Sequence, residues 1–278
     1  MASEQAGPNK AGPNRVAWVT GGAQGIGAAV ARRLAGQGYR VLVSDVNVAG
    51  GEEVAAEIGG AFLQVDVRDA SESDAAVAFA VEKFGGIDLA FLNAGVASGF
   101  GLEDGFTPEK YRRVMAINLD GVVYGVHAAL PALKARGGGN IIATASLAGL
   151  TAVPFDPLYG ANKAAVVGLV RALGPTYAPQ GIRINALCPS FADTAIVADV
   201  RDVLIGAGVP LLEVADVVAA FDAILAGDGT GECWYVQVGR EPAPFEFRNV
   251  PGPRTDDGGK VPTAAAGAVV PADAVQKG

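Results

Sequence analysis

The stretch YGANK places Tyr159 four residues before Lys163. In a helix, residues four apart lie on the same face, so the ammonium group of Lys163 would lie near the Tyr159 phenol. A free phenol has a pKa of roughly 10, and a nearby positive charge favours the phenolate, which can accept a proton. The same pair is also common on half-exposed helix faces. Other motifs in the chain are needed to distinguish a catalytic base, Tyr159 assisted by Lys163, from a tyrosine and a lysine that merely lie on a helix surface.

A glycine-rich stretch follows the first strand-like segment. Residues 15–20, RVAWVT, run into GGAQGIG, which spaces glycines at Gly21, Gly25 and Gly27 and leads into a helical pattern. Glycines in this context serve a tight turn, close approach of the backbone to a pyrophosphate, and packing of helix on strand. The helix amino terminus would face the anion. The pattern predicts a dinucleotide site that also involves Gln24 and Ile26; a flexible glycine-rich turn is the alternative.

The second strand-like segment ends in Asp45. A carboxylate at this point can accept hydrogen bonds from both hydroxyls of an adenosine ribose, and it would repel a 2'-phosphate. Neither Gln24 in the glycine loop nor Val46 after the strand offers a basic side chain for such a phosphate. These residues favour NAD over NADP. A surface aspartate that merely ends a strand is the alternative.

Short apolar runs of strand length alternate with helical patterns along the chain. The strand-like runs are residues 15–20, 40–44, 61–67, 89–93, 140–145, 182–188 and 233–238. The helical patterns cover residues 26–37, 49–58, 74–84, 108–136, 158–177 and 213–225. Near-continuous apolar strands separated by helices predict an α/β fold with a parallel sheet covered on both faces. Because Pro175 lacks a backbone donor, a kink or an early end is expected in the helix over 158–177.

The amino-acid composition indicates which kinds of molecule the protein is unsuited to bind. The 278 residues are 50% apolar with a formal net charge of -8, and no Lys/Arg cluster stands out, which argues against nucleic acid or an anionic membrane surface. No run approaches the roughly 20 apolar residues of a membrane span, and the first fifteen residues lack a signal-peptide core, so a cytoplasmic protein is expected. His127 and two cysteines lack metal-ligand spacing, so no metal is predicted. Cys188 and Cys233 are expected to be buried, reduced thiols.

The two ends differ from the body in composition. Residues 1–14 and the Gly/Pro/Ala-rich stretch 251–278 are predicted to be flexible termini. One domain over residues 15–250 remains. The sequence leaves open whether the tail is ordered or crosses to a neighbouring subunit.

Several motifs occur together in one order: TGGAQGIG, Asp66 in QVDV, NAG at residues 93–95, Asn118 in AINLDG, Ser146 in ATASLAG, and YGANK. In order and spacing they resemble the short-chain dehydrogenase/reductase family, over about residues 15–239. The resemblance implies a single-domain Rossmann fold with a seven-stranded parallel sheet and helices on both faces. It also implies a homotetramer or homodimer with an NAD-dependent alcohol dehydrogenase or carbonyl reductase activity.

The resemblance also implies roles for single residues. Tyr159 would be the general base or acid, and Lys163 would hold the phenolate and bond the nicotinamide ribose. Ser146 would hold the substrate oxygen. Asn118 would interrupt its long helix and hold a water that links Lys163 to solvent. Beyond the glycine loop and Asp45, the implied cofactor contacts are Val46, Asp66, Val67, Asn93, Ala94, Gly95, Tyr159, Lys163, Pro189 and Thr194.

The chain departs from the family at Pro189-Ser190, where Pro-Gly is usual. Serine tolerates fewer backbone conformations than glycine, so the turn that would contact the nicotinamide is affected. The segment over 194–210 is short for a family lid, with one brief apolar helix. Residues expected beside the substrate are mostly apolar: Val96, Phe100, Leu147, Val153, Phe155, Phe191, Ile196 and Val197. They favour an uncharged hydrophobic substrate, although each alone could equally fill core.

The leading hypothesis is an oxidoreductase that transfers a hydride between NAD and a hydrophobic secondary alcohol or ketone. One alternative is an NADPH-dependent ketoacyl-type reductase, against which Asp45 and the acidic balance weigh. Another is a catalytically silent NAD-binding sensor or interaction protein, against which the presence of both Tyr159 and Lys163 weighs. The stretch GVVYGVHAALPAL and the helix after YGANK resemble the family's main interface helices, which predicts a homotetramer.

Overall fold

Seven parallel strands form the centre of the computed structural model, which describes residues 14–99 and 101–248. The strands are β1 (Val16–Thr20), β2 (Arg40–Asp45), β3 (Ala61–Gln64), β4 (Leu89–Leu92), β5 (Gly139–Thr144), β6 (Ile182–Pro189) and β7 (Cys233–Val236). They lie in the order β3-β2-β1-β4-β5-β6-β7, so the crossover occurs between β1 and β4. The predicted α/β fold with a parallel sheet is confirmed.

An eighth strand extends the sheet beyond the seven that the sequence predicted. After β7 the chain passes Gly239, with φ +73°, and β8 (Ala243–Pro244) pairs antiparallel with β7. Two residues are too few for a strand pattern, and a proline normally weakens a strand prediction. The seven predicted parallel strands are thus confirmed, and within the described residues β8 adds an eighth, antiparallel strand.

Helices connect the strands and cover the sheet. They are α1 (Gly25–Gly36), α2 (Val48–Glu57), α3 (Ala70–Phe84), α4 (Pro108–Met115), α5 (Gly121–Ala135), α6 (Pro157–Tyr177), α7 (Arg201–Gly206) and α8 (Val214–Ala226). The Thr107 side chain caps α4 by accepting a hydrogen bond from the Lys110 backbone, as the T-P-E sequence predicts. Helix α6 continues two residues past Pro175 before a 3-10 turn, Ala178–Gln180, follows it.

The core has two halves, one on each face of the sheet. On one face α1, α2 and α8 pack against alternate residues of the strands, and Phe91 of β4 meets Phe221 of α8 edge to face at 4.9 Å. On the other face α5 lies so close that a methyl group at Gly125 would be 2.5 Å from the Leu92 side chain. Every residue of β1 and β4 is buried, as expected for strands covered on both faces.

The stretch Pro108–Ala135 is long and apolar enough to span a membrane by length and composition. Half of its most apolar window is buried inside the protein. A helix of the core passes the same test, and packing of α5 against β4 explains the apolar side chains here.

The chain divides into two units, Met1–Phe245 and Glu246–Gly278. The sheet and its helices belong to the first, and only residues 246–248 of the second are described. The predicted flexible termini lie almost wholly outside the described residues. Within the first unit the carboxyl ends of the parallel strands meet at one edge of the sheet, which is where ligands bind in open α/β folds.

Candidate active site

The loop between β1 and α1 contains the glycines that the sequence pattern indicates. Gly21 has φ +63° and Gly25 has φ +55°, a backbone region that favours glycine. A methyl group at Gly21 would lie 2.8 Å from the Ala94 Cα atom, and one at Gly27 would lie 2.0 Å from the Gly21 carbonyl oxygen. The glycines therefore let this loop pack against the residues after β4 and against the first turn of α1.

The amino terminus of α1 is a suitable place for an anion. Within the described part of the chain, the Gln24 side chain makes no capping hydrogen bond to this helix, so the first N–H groups of the helix are left for another acceptor. Thr194 lies close by, since a methyl group at Gly25 would be 3.4 Å from its Cγ2 atom. This donor set fits the pyrophosphate of a dinucleotide, with Gly25 and Ile26 in the first turn.

Asp45 ends β2 beside the glycine loop. One carboxylate oxygen accepts a hydrogen bond from the Ala23 N–H at 3.0 Å, and the other accepts one from the Asn47 N–H at 2.9 Å. A carboxylate has about four acceptor positions, so two remain for the hydroxyl groups of a ribose. Val46, the next residue, is exposed. Asp45 is thus placed where the adenosine end of a dinucleotide would lie.

Asp66 and Val67 follow β3, and the structure shows partners that the sequence did not predict. The Arg68 guanidinium bonds both Asp66 carboxylate oxygens and holds the pKa of that carboxyl below its usual value. Val67 is buried against α5, where a methyl group at Gly121 would lie 2.8 Å from its Cγ2 atom. The adenine contacts implied for both residues stay predictions.

Asn93, Ala94 and Gly95 form the loop after β4. The backbone N–H groups of Asn93 and Ala94 donate to the Thr20 hydroxyl at 2.9 and 3.2 Å. The Thr144 hydroxyl donates to the Asn93 side-chain oxygen at 3.1 Å. Asn93 therefore ties together the ends of β1, β4 and β5, which fixes the floor of the site.

Asn118 lies in a π-helical segment, Ala116–Asp120, that interrupts the helix predicted as one piece over 108–136. Its side chain is fully buried and bonds the main chain of Val96 twice, accepting from N–H at 2.8 Å and donating to the carbonyl at 2.9 Å. The expected local interruption is confirmed, and π-helical turns of this kind are frequent at functional sites. The water expected at Asn118 stays a prediction.

Ser146 follows β5 and is half-buried. Its hydroxyl oxygen accepts a hydrogen bond from the Ala148 N–H at 3.1 Å, which caps the short 3-10 turn Leu147–Gly149. The hydroxyl also lies 3.4 Å from the Pro189 carbonyl oxygen, a weak contact, and hydrogen-bonds the Tyr159 phenol. The next residue after Pro189, Ser190, donates its N–H to the Val236 carbonyl of β7 at 2.9 Å, so the Pro-Ser turn stays joined to the sheet.

Tyr159 lies in the first turn of α6, which Asp156 caps by accepting the Tyr159 N–H at 3.0 Å. Burial raises the pKa of the phenol, the hydrogen bond from Ser146 opposes this, and the negative charge of Asp156 raises the pKa further. These contacts therefore favour the protonated form of the phenol.

Lys163 lies one turn beyond Tyr159, with its Nζ atom 5.8 Å from the centre of the tyrosine ring. It is 3% exposed and donates to the Thr144 carbonyl at 2.9 Å. Burial lowers the pKa of Lys163 to about 8, while Cys188 acts weakly in the opposite direction. Burial is the largest influence on the Tyr159 pKa and raises it, so the lowering expected from Lys163 stays a prediction.

The four predicted catalytic residues surround one region. A methyl group at Gly95 would lie 3.4 Å from the Asn118 side-chain oxygen and 3.7 Å from Lys163 Nζ. Tyr159 joins the same region through Lys163, whose Nζ atom lies 5.8 Å from the centre of the tyrosine ring, and Ser146 interacts with the Tyr159 phenol. An acid or base, a hydroxyl donor and a buried ammonium group together can move a proton to or from a substrate oxygen.

Two contributors were missed in the sequence. Thr144 bonds both Asn93 and Lys163, and Asp156 caps the helix that bears Tyr159. A polar residue at the end of β5, two positions before Ser146, was the available signal for Thr144. Asp156 precedes Pro157, a common helix-start pattern, whereas the helix was predicted to begin at residue 158.

Two of the predicted substrate-side residues, Phe155 and Ile196, are open to solvent. Phe155 is 73% exposed and stacks on Phe191, with ring centres 6.3 Å apart and an angle of 27° between the planes. Ile196 is also exposed, in the 3-10 segment Ala195–Val200. Val197, in contrast, is buried, which does not support a place for it on an open pocket wall.

The remaining substrate-side predictions divide by position. Val96 and Leu147 adjoin Asn118 and Ser146 directly, while Phe100 lies outside the described residues. Val153 lines a groove of about 510 Å³ between residues 148–154 and the outer face of α6. Among the described residues lining this groove neither Ser146 nor Tyr159 occurs, so the groove is separate from the reaction site. The described residues also contain no group of three His, Cys, Asp or Glu able to hold a metal ion.

The chain belongs to the short-chain dehydrogenase family, whose sequence model matches residues 15–204. It is 40% identical over 194 residues to the cyclohexanol dehydrogenase of Acinetobacter sp. (strain SE19), covering 68% of this chain and 77% of that protein. It is 36% identical over 191 residues to the 2,5-dichloro-2,5-cyclohexadiene-1,4-diol dehydrogenase LinX of Sphingobium indicum, covering 67% and 76%. The protein is therefore an oxidoreductase of this family, which binds a nicotinamide cofactor.

A solved structure agrees in fold. The crystal structure of 3-ketoacyl-(acyl-carrier-protein) reductase from Brucella melitensis complexed with NADH has a TM-score of 0.74 and 31% sequence identity. The match covers 82% of this chain and 98% of that one. The Rossmann fold that the sequence predicted is thereby confirmed.

Proposed function

We propose that this protein is an NAD-dependent dehydrogenase of cyclic secondary alcohols that also reduces the corresponding ketones. The observation that carries the proposal is the placement of the buried Lys163 ammonium group 5.8 Å from the centre of the Tyr159 ring, with the Ser146 hydroxyl close enough to the phenol to lower its pKa. A methyl group at Gly95 would lie 3.7 Å from Lys163 Nζ, and we place the substrate oxygen on the Gly95 side of Lys163, within reach of the Ser146 and Tyr159 hydroxyl groups.

In this proposal Tyr159 removes the hydroxyl proton of the alcohol and returns it to the ketone in the reverse direction. Ser146 gives up its weak contact with the Pro189 carbonyl and donates its hydroxyl to the substrate oxygen. Lys163 holds its charge in the same buried region and favours the phenolate form of Tyr159. NAD, when bound, supplies the acceptor for the hydride. Asn118 holds the loop of Val96 in place through both polar atoms of its side chain.

NAD is proposed instead of NADP because of Asp45. Its carboxylate accepts hydrogen bonds from the Ala23 and Asn47 N–H groups and would lie near the 2'-phosphate of NADP. The two negative charges would repel each other. Val46 beside it is apolar and offers no compensating cation.

A cyclic substrate is proposed from two observations. The named relatives above act, by their descriptions, on a cyclohexanol and on a cyclohexadiene-diol. The Phe155 and Phe191 rings, stacked beside the loops that follow β5 and β6, offer flat apolar surfaces that a carbon ring can contact.

NADH formation tests the proposal when cyclohexanol and cyclohexanediols are compared with open-chain secondary alcohols of the same carbon number. We expect NAD to support faster turnover than NADP, and cyclic alcohols to give the higher kcat/KM. Equal kcat/KM for cyclic and open-chain alcohols would contradict the substrate class. Turnover with NADP alone would contradict the cofactor assignment.

A ketoacyl-type reductase is the second candidate, because the solved structure described above has that activity in its description. NADPH-dependent reduction of an acetoacetyl thioester, at a rate above that for cyclohexanone, would favour this candidate. A protein that bound NAD with no turnover of any alcohol or ketone would favour the sensor hypothesis.

A homotetramer formed through α5 and α6 is also proposed. Val123 and His127 on α5, and Ala161, Ala164 and Gly168 on α6, are exposed, although most of them are apolar or small. Small side chains allow close approach of helices between subunits. Light scattering tests this proposal, and a monomer at micromolar concentration would contradict it. The cytoplasmic location stays a prediction.

A further inference from the structure

Asp156 is bonded through both of its carboxylate oxygens, to two different parts of the site. One oxygen accepts the Tyr159 N–H at 3.0 Å and caps α6. The other accepts the hydroxyl of Ser98, in the loop that follows β4. A capping carboxylate needs only the first of these bonds. The second bond therefore joins the helix that bears Tyr159 to the loop that contains Gly95.

The same loop is held a second time by Asn118, which bonds both main-chain polar atoms of Val96. Val96 and Ser98 are two residues apart, so the loop is fixed from the π-helical segment on one side and from the start of α6 on the other. Gly95, at the head of this loop, is the residue that lies between Asn118 and Lys163.

We propose that Asp156 is a positioning residue of this active site, which fastens the loop over residues 95–98 to the first turn of α6 and so fixes Tyr159 relative to the substrate oxygen. The inference rests on the proposed function only in naming the substrate oxygen; the two hydrogen bonds belong to the unliganded chain. Misplacement of reacting groups by about 1 Å can reduce a rate by about 100-fold, so a single loop contact of this kind can matter for turnover.

Asp156 has a second effect, through its charge. The groups that face the Tyr159 phenol are Asp156 and Lys163 from α6 and Ser146 from the end of β5; Cys188 of β6 faces Lys163. Asp156 raises the pKa of the phenol, which keeps the proton on Tyr159 ready for reduction of a ketone. Removing the charge of Asp156 should therefore lower the pKa of Tyr159, an effect that the loss of a helix cap alone would not produce.

Three variants separate the effects. Ser98→Ala removes the loop bond and keeps the cap and the charge. Asp156→Asn keeps a side-chain oxygen for the cap and removes the charge. Asp156→Ala removes all three. Glu82→Gln, at an exposed carboxylate of α3, is the matched control for loss of one negative charge.

The first measurement is the titration of the Tyr159 phenol in the unliganded protein, taken as the phenolate absorbance that Tyr159→Phe removes. We expect Asp156→Asn to move this titration to lower pH, while Ser98→Ala and Glu82→Gln leave it in place. An Asp156→Asn titration equal to that of the unaltered protein would overturn the charge effect. This readout does not depend on turnover, so it remains decisive if no alcohol is oxidised.

The second measurement is kcat/KM for the best cyclic alcohol across pH. Ser98→Ala should lower kcat/KM by about tenfold or more with the shape of the pH profile unchanged. Asp156→Asn should move the profile to lower pH, and Asp156→Ala should show the largest loss. Values equal to the unaltered enzyme for both Ser98→Ala and Asp156→Ala would overturn the positioning role. If Asp156→Ala does not fold, Ser98→Ala decides, because it retains the helix cap.

Discussion

Replacing Lys163 by methionine should change how the stability of the unliganded protein depends on pH. Methionine has a similarly long side chain but lacks the ammonium group of Lys163, which is buried in the protein. The lowering of the Lys163 pKa from 10.5 to about 8 corresponds to about 3 kcal/mol against the charged folded state. Lys163 is only 3% exposed, so this figure needs no reduction for solvent screening.

The direction follows from proton linkage. The folded-state pKa lies below the unfolded value, so between about pH 8 and 10.5 the unfolded chain holds the proton more tightly. The cost is complete below that window and disappears as the pH rises through it. The unaltered protein should therefore gain about 2 kcal/mol of unfolding free energy from this group between about pH 7 and 9.5.

Urea unfolding in the absence of cofactor measures the unfolding free energy at each pH. The protein concentration is held constant, because the assembly of subunits would otherwise shift the unfolding midpoint. The unfolding free energy of Lys163→Met minus that of the unaltered protein should fall by about 2 kcal/mol between the two pH values. Lys83→Met, at an exposed lysine of α3, should give a constant difference. A constant difference for Lys163→Met as well would refute the buried, perturbed ammonium group.

Further predictions concern binding and stability. Arg183 donates to the carbonyls of Leu225, at 2.9 Å, and Gly227 at the end of α8, so Arg183→Met should lower the unfolding free energy by about 2–3 kcal/mol in urea without weakening NADH binding. Asp45→Ala should raise the ratio of kcat/KM for NADP to that for NAD, and an unchanged ratio would contradict its role. Gly21 has φ +63°, and a methyl group added there would lie 2.8 Å from the Ala94 Cα atom. Gly21→Ala should therefore lower Tm and weaken NADH binding in a fluorescence titration.

The sheet could be predicted because its signal is local and repeated. Each strand is a short apolar run next to a turn, and burial on both faces makes that run continuous in the sequence. The π-helical segment at Asn118 was reachable only through the family resemblance, since its five residues continue an ordinary helical pattern. Strand β8 was missed because two residues have no pattern.

The site was predictable in its residues but not in its electrostatics. Tyr159, Lys163 and Ser146 are where the motifs place them. Spacing alone predicted that Lys163 would act on the phenol, whereas burial is the largest cause of the pKa shifts of both residues, with smaller contributions from Ser146, Asp156 and Cys188. Burial and contacts between residues far apart in sequence leave no local pattern, so these pKa shifts could not be predicted from the sequence.

If Tyr159 transfers the proton in an NAD-dependent alcohol oxidation, turnover requires its hydroxyl group whereas cofactor binding does not. NADH formation from cyclohexanol and NADH binding are measured for Tyr159→Phe and for Tyr177→Phe, a matched change at the far end of the same helix. We expect Tyr159→Phe to lose turnover by at least about 100-fold while it binds NADH normally, and Tyr177→Phe to keep both. Turnover retained in Tyr159→Phe would exclude Tyr159 as the group that transfers the proton.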